Sequence, residues 1–337
     1  LKNIIRSTLL VSVLLSPITF AKEVNVYSAR KEALIKPLLD KFTQQTGITV
    51  NLVTGKADNL ITRLKSEGKY SPADLLVTTD VGRLYRAKEQ HLTQVIGSSN
   101  NINSVPVNLR DEQGHWVGLS LRARPLMISP ERVAANSVAN LEDLTDPKWK
   151  GRICIRSSSN IYNQSMVASL IEQLGEVKTQ KWLDGFVKNF ARPPQGGDRD
   201  QIKAVAAGQC DVAIANTYYL AGMLTSDDQE QVAQAKKVKV VWPNQSDRGA
   251  HINISGVAMA KNAPNKNAAS QLIDFMLTEE SQQWYANTNH EYPILTNVEW
   301  SEVLQSFGKF KSEKVALSKL GELNSKAVKL MDRAGWK

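Results

Sequence analysis

Short bursts of apolar residues recur along this chain, separated by stripes of helical spacing. Val24-Asn25-Val26-Tyr27 predicts a first strand, followed by a turn at Ser28-Ala29-Arg30-Lys31. Ile35, Leu38, Leu39 and Phe42 fall on one helical face over residues 35–45, with Pro37 tolerable only in the first turn and Gly47 as the stop. Ile48 to Val53 predicts a second strand, and Leu60, Ile61 and Leu64 a helix capped by Asp58. Ala73 to Thr78 predicts a third strand, leading to a helix with Leu84 and Ala87 buried and Asp80 as its cap. This alternation predicts an α/β fold with a mostly parallel sheet and helices on both faces.

The second half repeats the scheme with different chemistry. Residues 118–128 read as one strand passing from one lobe to another. Arg152 to Arg156 predicts a strand, after which Ser157-Ser158-Ser159 caps a helix with Met166, Val167, Leu170, Ile171 and Leu174 on its core face and Gly175 as its end. Tyr162 falls in the first turn of that helix. Trp182, Phe186 and Phe190 mark a further helix, and Asp198 or Asp200 caps another running to Ala207. Asp211 to Ala215 predicts a buried strand that delivers Tyr218 and Tyr219 to the start of a short helix at Leu220 to Leu224. Val238 to Trp242 and Ile252 to Met259 predict strands, whereas 268–286 and 314–336 each predict a single amphipathic helix.

Composition adds a compartment. Lys2 and Arg6 precede a short apolar run from Thr8 to Leu15, broken by Pro17 and followed by Thr19-Phe20-Ala21, so residues 1–21 are expected to be a secretory signal peptide. The run is too short to span a bilayer. Without residues 1–21, which carry two basic residues and no acid, the formal charge falls from +9 to +7 and is spread along the chain. A nucleic-acid surface calls for a basic stripe with interleaved aromatics, and there is none, so no nucleic-acid partner is expected. Cys154 lies eight residues before Tyr162, and Cys210 eight before Tyr218. In an exported chain such a pair suggests a disulfide joining two neighbouring strands, the alternative being two buried thiols.

Three strand-to-helix junctions therefore carry tyrosines: Tyr27, Tyr162, and Tyr218 with Tyr219. The carboxyl edge of a sheet is where α/β proteins hold ligands. A phenol is a poor ligand while protonated, with a reference pKa of about 10, but a highly charged cation favours the phenolate. The pattern points to a tyrosinate metal site.

The residues Val26-Tyr27-Ser28-Ala29-Arg30, Gly118-Leu119-Ser120-Leu121-Arg122-Ala123-Arg124 and Ser157-Ser158-Ser159-Asn160-Ile161-Tyr162-Asn163-Gln164-Ser165 carry a resemblance. So do Ala215-Asn216-Thr217-Tyr218-Tyr219, His251-Ile252-Asn253-Ile254-Ser255-Gly256-Val257-Ala258 and Met331-Asp332-Arg333-Ala334-Gly335-Trp336. Together they make almost the whole chain resemble the periplasmic ferric-ion-binding proteins of ABC-type iron(III) importers, in their tyrosine-rich branch. The resemblance implies a two-lobed type II periplasmic-binding-protein clamshell with a mixed, mostly parallel sheet in each lobe. Residues 22–121 plus 243–298 would form the N-terminal lobe and 122–242 plus 299–337 the C-terminal lobe. It implies Fe(3+) in the cleft on Tyr27, Tyr162, Tyr218 and Tyr219, with Arg122 balancing the charge and Arg124 the second choice. Ser28-Ala29-Arg30-Lys31 offers no histidine, so water, a synergistic anion such as carbonate, or another side chain is left to complete the coordination. The implied setting is a periplasmic monomer that delivers iron to an inner-membrane ABC permease.

Two rival readings differ in chemistry. The same fold could carry an oxyanion, polyamine or thiamine, and Ser157-Ser158-Ser159 at a helix N-terminus would suit an oxyanion. An exported hydrolase is disfavoured: Ser28-Ala29-Arg30-Lys31 and Ser66-Glu67-Gly68-Lys69 lack the companion motifs of penicillin-interacting enzymes, and His91, His115, His251 and His290 have no zinc-site spacing.

Overall fold

The computed structural model describes residues 22–134 and 136–337, so the expected signal peptide lies outside the described residues. The chain first lays down β1 (Glu23–Ser28), β2 (Thr49–Thr54), β3 (Leu75–Thr79), β4 (Thr93–Gln94) and β5 (Trp116–Ala123). It crosses into β6 (Leu126–Ile128), β7 (Ile153–Cys154), β8 (Val212–Ile214) and β9 (Lys239–Val241), then returns as β10 (Ile252–Ala260). Two sheets result. The first has the order β2-β1-β3-β10-β4 with β5 also on β10, and the second runs β7-β8-β6-β9. Each forms the centre of one lobe of an α/β clamshell.

Both sheets are mixed, but less parallel than the local alternation predicts. β1 pairs in parallel with β2 and β3, and β7 with β8. The two strands that arrive directly from the opposite lobe, β6 and β10, run antiparallel to all their partners. A β-α alternation records only connections within a lobe, so crossing strands escape it. The predicted strand over 118–128 is likewise two strands, interrupted at Arg124-Pro125, because proline cannot donate to a ladder.

Helix ends differ in instructive ways. Asn160, not the serine cluster, caps the helix Ile161–Leu174 by accepting from the Tyr162 N–H at 3.0 Å. Lys56 stands at the cap of Ala57–Glu67, leaving Asp58 inside its first turn. Asp80 does cap Val81–Glu89, through the Gly82 N–H. The predicted helix over 268–286 is split into Lys266–Met276 and Glu279–Trp284 because Thr278 caps the second. Beyond it the backbone widens into a π turn at Tyr285–Asn289. The last segment likewise divides into Ser318–Glu322 and Asn324–Arg333.

A disulfide joins Cys154 of β7 to Cys210, at the entry to the neighbouring β8, with Cα atoms 5.8 Å apart. Ser318–Glu322 packs against both Val81–Glu89 of the first lobe and Ile161–Leu174 of the second. Trp336 closes the second lobe by packing edge-on to Phe186 and Phe190. Among the described residues no helix is long and apolar enough to cross a membrane.

Candidate metal centre

Two strand-to-helix turns of the second lobe converge on one guanidinium from the first. Tyr162 is the second residue of Ile161–Leu174, and Tyr218 and Tyr219 are the second and third of a helix spanning Thr217–Leu224. That helix starts earlier than Leu220, so both paired phenols lie in its first turn. Their ring centroids are 4.4 Å apart. Arg122, near the end of β5, lies 4.6 Å over the Tyr162 ring and 4.6 Å over the Tyr218 ring. Its Nη2 donates to the Tyr218 phenol oxygen, to which Asn216 Nδ2 also donates at 3.2 Å. Tyr162 reaches across to Thr79 at the end of β3. The cluster thus lies where the lobes meet.

Its electrostatics separate the three phenols. Burial opposes ionisation of Tyr162, but the Arg122 guanidinium outweighs it and brings the phenol down to about 8. Burial pushes Tyr218 well above its ordinary value against the pull of Arg122, and charges on Tyr162 and Tyr219 would raise it further. Tyr219 is raised by burial, then by Tyr162 and Asp198. One phenolate is therefore accessible next to the arginine, while the others need additional positive charge. That is the electrostatic requirement of a polycation site with hard oxygen donors.

A second layer of charges fixes the turns. Arg124 Nη1 donates to Asp198 Oδ2 at 2.7 Å, and its Nη2 to Asn163 Oδ1 at 2.7 Å. Arg156 Nη1 donates to Asp198 Oδ1 at 3.0 Å, and the Asn216 N–H to Asp198 Oδ2 at 2.8 Å. Buried Asp198 thereby ties the turn before Tyr162 to the turn before Tyr218. Burial alone would raise its carboxyl, but Arg124 and Arg156 hold it below the usual range. The helix Asp198–Ala206 is instead closed by Asp200, which accepts from the Gly197 N–H at 2.6 Å.

Tyr27 is not brought to this cluster. Its phenol donates to Glu67 at 2.8 and 2.9 Å, and Arg63 lies 4.8 Å over its ring. Burial and then the Glu67 hydrogen bond raise its pKa, so the phenol is held as a proton donor. Nor does the serine cluster form an open anion cradle. The Ser158 N–H donates to the Lys337 carbonyl, and the Ser159 N–H to Ser157 Oγ.

Thr79, Arg156, Asp198 and Glu291 join the neighbourhood without having been singled out for it. Asp198 was legible only as a helix cap, since an acid at the start of a helix usually is one. Glu291 sat in a turn before Tyr292-Pro293 with no charge pattern to mark it.

The sequence profile of the bacterial extracellular solute-binding proteins matches residues 38–311. The chain is 48% identical over 316 residues to iron uptake protein A1 of Synechocystis sp., covering 94% of this chain and 88% of that one. It is 28% identical over 314 residues to the Fe(3+)-binding periplasmic protein of Serratia marcescens, covering 92% and 89%. Among solved structures, the Trichodesmium IdiA (FutA) protein in complex with iron and citrate matches with a TM-score of 0.91 and 48% identity, covering 94% of this chain and 100% of that one.

Proposed function

The chain belongs to the bacterial extracellular solute-binding proteins, and from that premise we propose that it captures Fe(III) in the periplasm and passes it to the permease of an ABC importer. Its role is to bind and release cargo rather than to transform it. The observation that carries this reading is the gathering of Tyr162, Tyr218 and Tyr219 around Arg122 at the meeting of the two lobes.

Tyr162, Tyr218 and Tyr219 are the proposed protein ligands. Three phenolates neutralise one ferric ion. Around them Arg30, Arg122, Arg124 and Arg156 stand against Asp198 and Glu291, leaving two positive charges. That excess favours an anion such as carbonate or citrate in the remaining coordination positions. The hydrogen bond to Glu67 argues against Tyr27 as a fourth ligand in this conformation. The lobes are proposed to divide close to the sequence-derived limits, 22–121 plus 243–298 and 122–242 plus 299–337, except that the pairing of β5 with β10 carries Arg122 and Ala123 into the first lobe.

Replacing Tyr218 and Tyr219 together by Phe retains the rings and removes the oxygens. The purified wild type should take up one ferric ion with a visible phenolate-to-iron band, and the double variant should lose it. Tyr27→Phe should keep that band. An unchanged band in the double variant would sink the assignment, whereas loss in Tyr27→Phe would mean that Tyr27 swings in on loading.

A further inference from the structure

We infer that Glu291 is a positioning residue of this site: it holds Arg122 against the phenols and sets how much of its charge they feel. The inference rests on the reading that Tyr162, Tyr218 and Tyr219 bind Fe(III).

Glu291 is buried, with its side chain only 4% exposed. Arg30 donates to it from Nη2 at 2.6 Å and from Nη1 at 3.4 Å, and the Ser120 hydroxyl also donates to it. On its other side stands Arg122, with Nε 3.6 Å away. That separation is too long for a hydrogen bond, and Arg122 Nε is buried without a hydrogen-bond partner. The coupling between the two is therefore mainly Coulombic, in a setting that excludes much of the screening water. Arg122 turns its Nε edge to this carboxylate and its Nη2 to Tyr218, with its guanidinium carbon 4.6 Å from the centres of both the Tyr162 and Tyr218 rings. Among the described residues this carboxylate is the only acid paired with it.

The backbone around Glu291 is anchored on both sides. Tyr292 exchanges two backbone hydrogen bonds with Leu121, the neighbour of Arg122, at 2.7 and 2.9 Å. His290 adopts a left-handed backbone with φ 53°, and its Nε2 pairs with Thr225 Oγ1 at 3.0 Å. Thr225 caps the end of the helix that carries Tyr218 and Tyr219. This left-handed residue ends the π turn, its N–H donating to the Tyr285 carbonyl, and its side chain adds a contact across the lobes. Glu291 is thus presented to Arg122 by a segment that also touches the tyrosine helix.

Without the carboxylate, Arg30 and Arg122 become two buried like charges. Arg122 is then driven from the ring faces, and uncompensated positive charge faces a trivalent cation. Both effects weaken iron binding.

The test is a double-mutant cycle on the full mature chain with ferric citrate as the iron source. Glu291→Gln keeps the volume and an acceptor for Arg30 and Ser120. It should weaken iron binding about tenfold and shift the phenolate-to-iron band, in keeping with the coupling usual between contacting residues. In an Arg122→Ala background, more than half of that loss should vanish and the band should no longer respond to Glu291→Gln. A loss in the Arg122→Ala background at least half as large as in wild type, or a lower melting temperature with no change in affinity or band, would reduce Glu291 to a structural role and overturn the inference. Should Glu291→Gln fail to fold, the charge-neutral Ser120→Ala, which removes one of the donors that hold the carboxylate, is compared in the same two backgrounds. It should show the same dependence on Arg122, and equal effects in both would again overturn it.

Discussion

At the scale of the residue, the candidate site turns on where a phenol points. Tyr27, Tyr162 and Tyr218 occupy similar places in the sequence pattern, each after an apolar run. Tyr27, however, is the fifth residue of β1, so the pleat commits its side chain to one face of the sheet, here toward the helix Ala57–Glu67. Tyr162 and Tyr218 lie beyond their strand ends, in first helical turns, and escape that constraint. The arginine then ranks the phenols. Because Tyr162 is lowered in the folded state, its contribution to the stability of the iron-free protein is complete above pH 10 and lost as pH falls through about 8. An ultraviolet titration of the iron-free protein should accordingly show one phenolate forming near pH 8. Tyr162→Phe should abolish that step, and Arg122→Ala should move it upward. Metal binding requires the deprotonated ligands, so acid must release the iron. Arg122→Ala should shift that release to higher pH in a titration of the visible band. A wild-type release curve retained in Arg122→Ala, with Arg124→Ala shifted instead, would transfer the role to Arg124.

At the scale of the element, the Cys154–Cys210 bridge fastens the two strands whose following turns deliver the phenols. The cysteines' equal spacing from the tyrosines suggested that they lie on neighbouring strands, but Cys154 pairs with Ala213, so Cys210 meets it from the entry to β8 rather than in register. The bridge closes a long loop and should therefore restrict the unfolded chain. Cys154→Ser with Cys210→Ser should lower stability by about 2–4 kcal/mol in denaturant unfolding. Iron should still bind at neutral pH, since Asp198 continues to tie the two turns through Arg124, Arg156 and the Asn216 N–H. Loss of the visible band in a variant that still folds would show that the bridge, not Asp198, holds the turns in register.

At the scale of the whole molecule, the lobes are joined across the site by several polar contacts. Ser165 Oγ donates to Asp80 Oδ1 at 2.7 Å, one helical turn beyond Tyr162 on the same helix. His290 pairs with Thr225, and Arg122 donates to Tyr218. Gly82 lets the two lobes approach, because a Cβ there would lie 3.2 Å from the Ile161 side chain. Contacts of this kind break when the lobes part, and ligand tips the balance toward the closed form. Solution scattering should therefore give a more compact particle for the iron-loaded protein than for the iron-free one. Superimposable curves would count against closure on loading.

The sequence by itself determined the α/β alternation, most strand positions and the turns that carry Tyr162, Tyr218 and Tyr219, and it pointed to the disulfide that the structure forms. These follow from local periodicity, from glycine and proline at element ends, and from cysteine spacing, all of which act over a few residues. Tertiary structure decided the antiparallel course of β6 and β10, the diversion of Tyr27 to Glu67, and the assembly of Arg30, Glu291 and Arg122. Residues 30, 122 and 291 become neighbours only when β5 and the turn at Tyr292 pair side by side. A buried carboxylate between two guanidiniums leaves no periodic trace, because its stability comes from partners that the chain brings together only on folding.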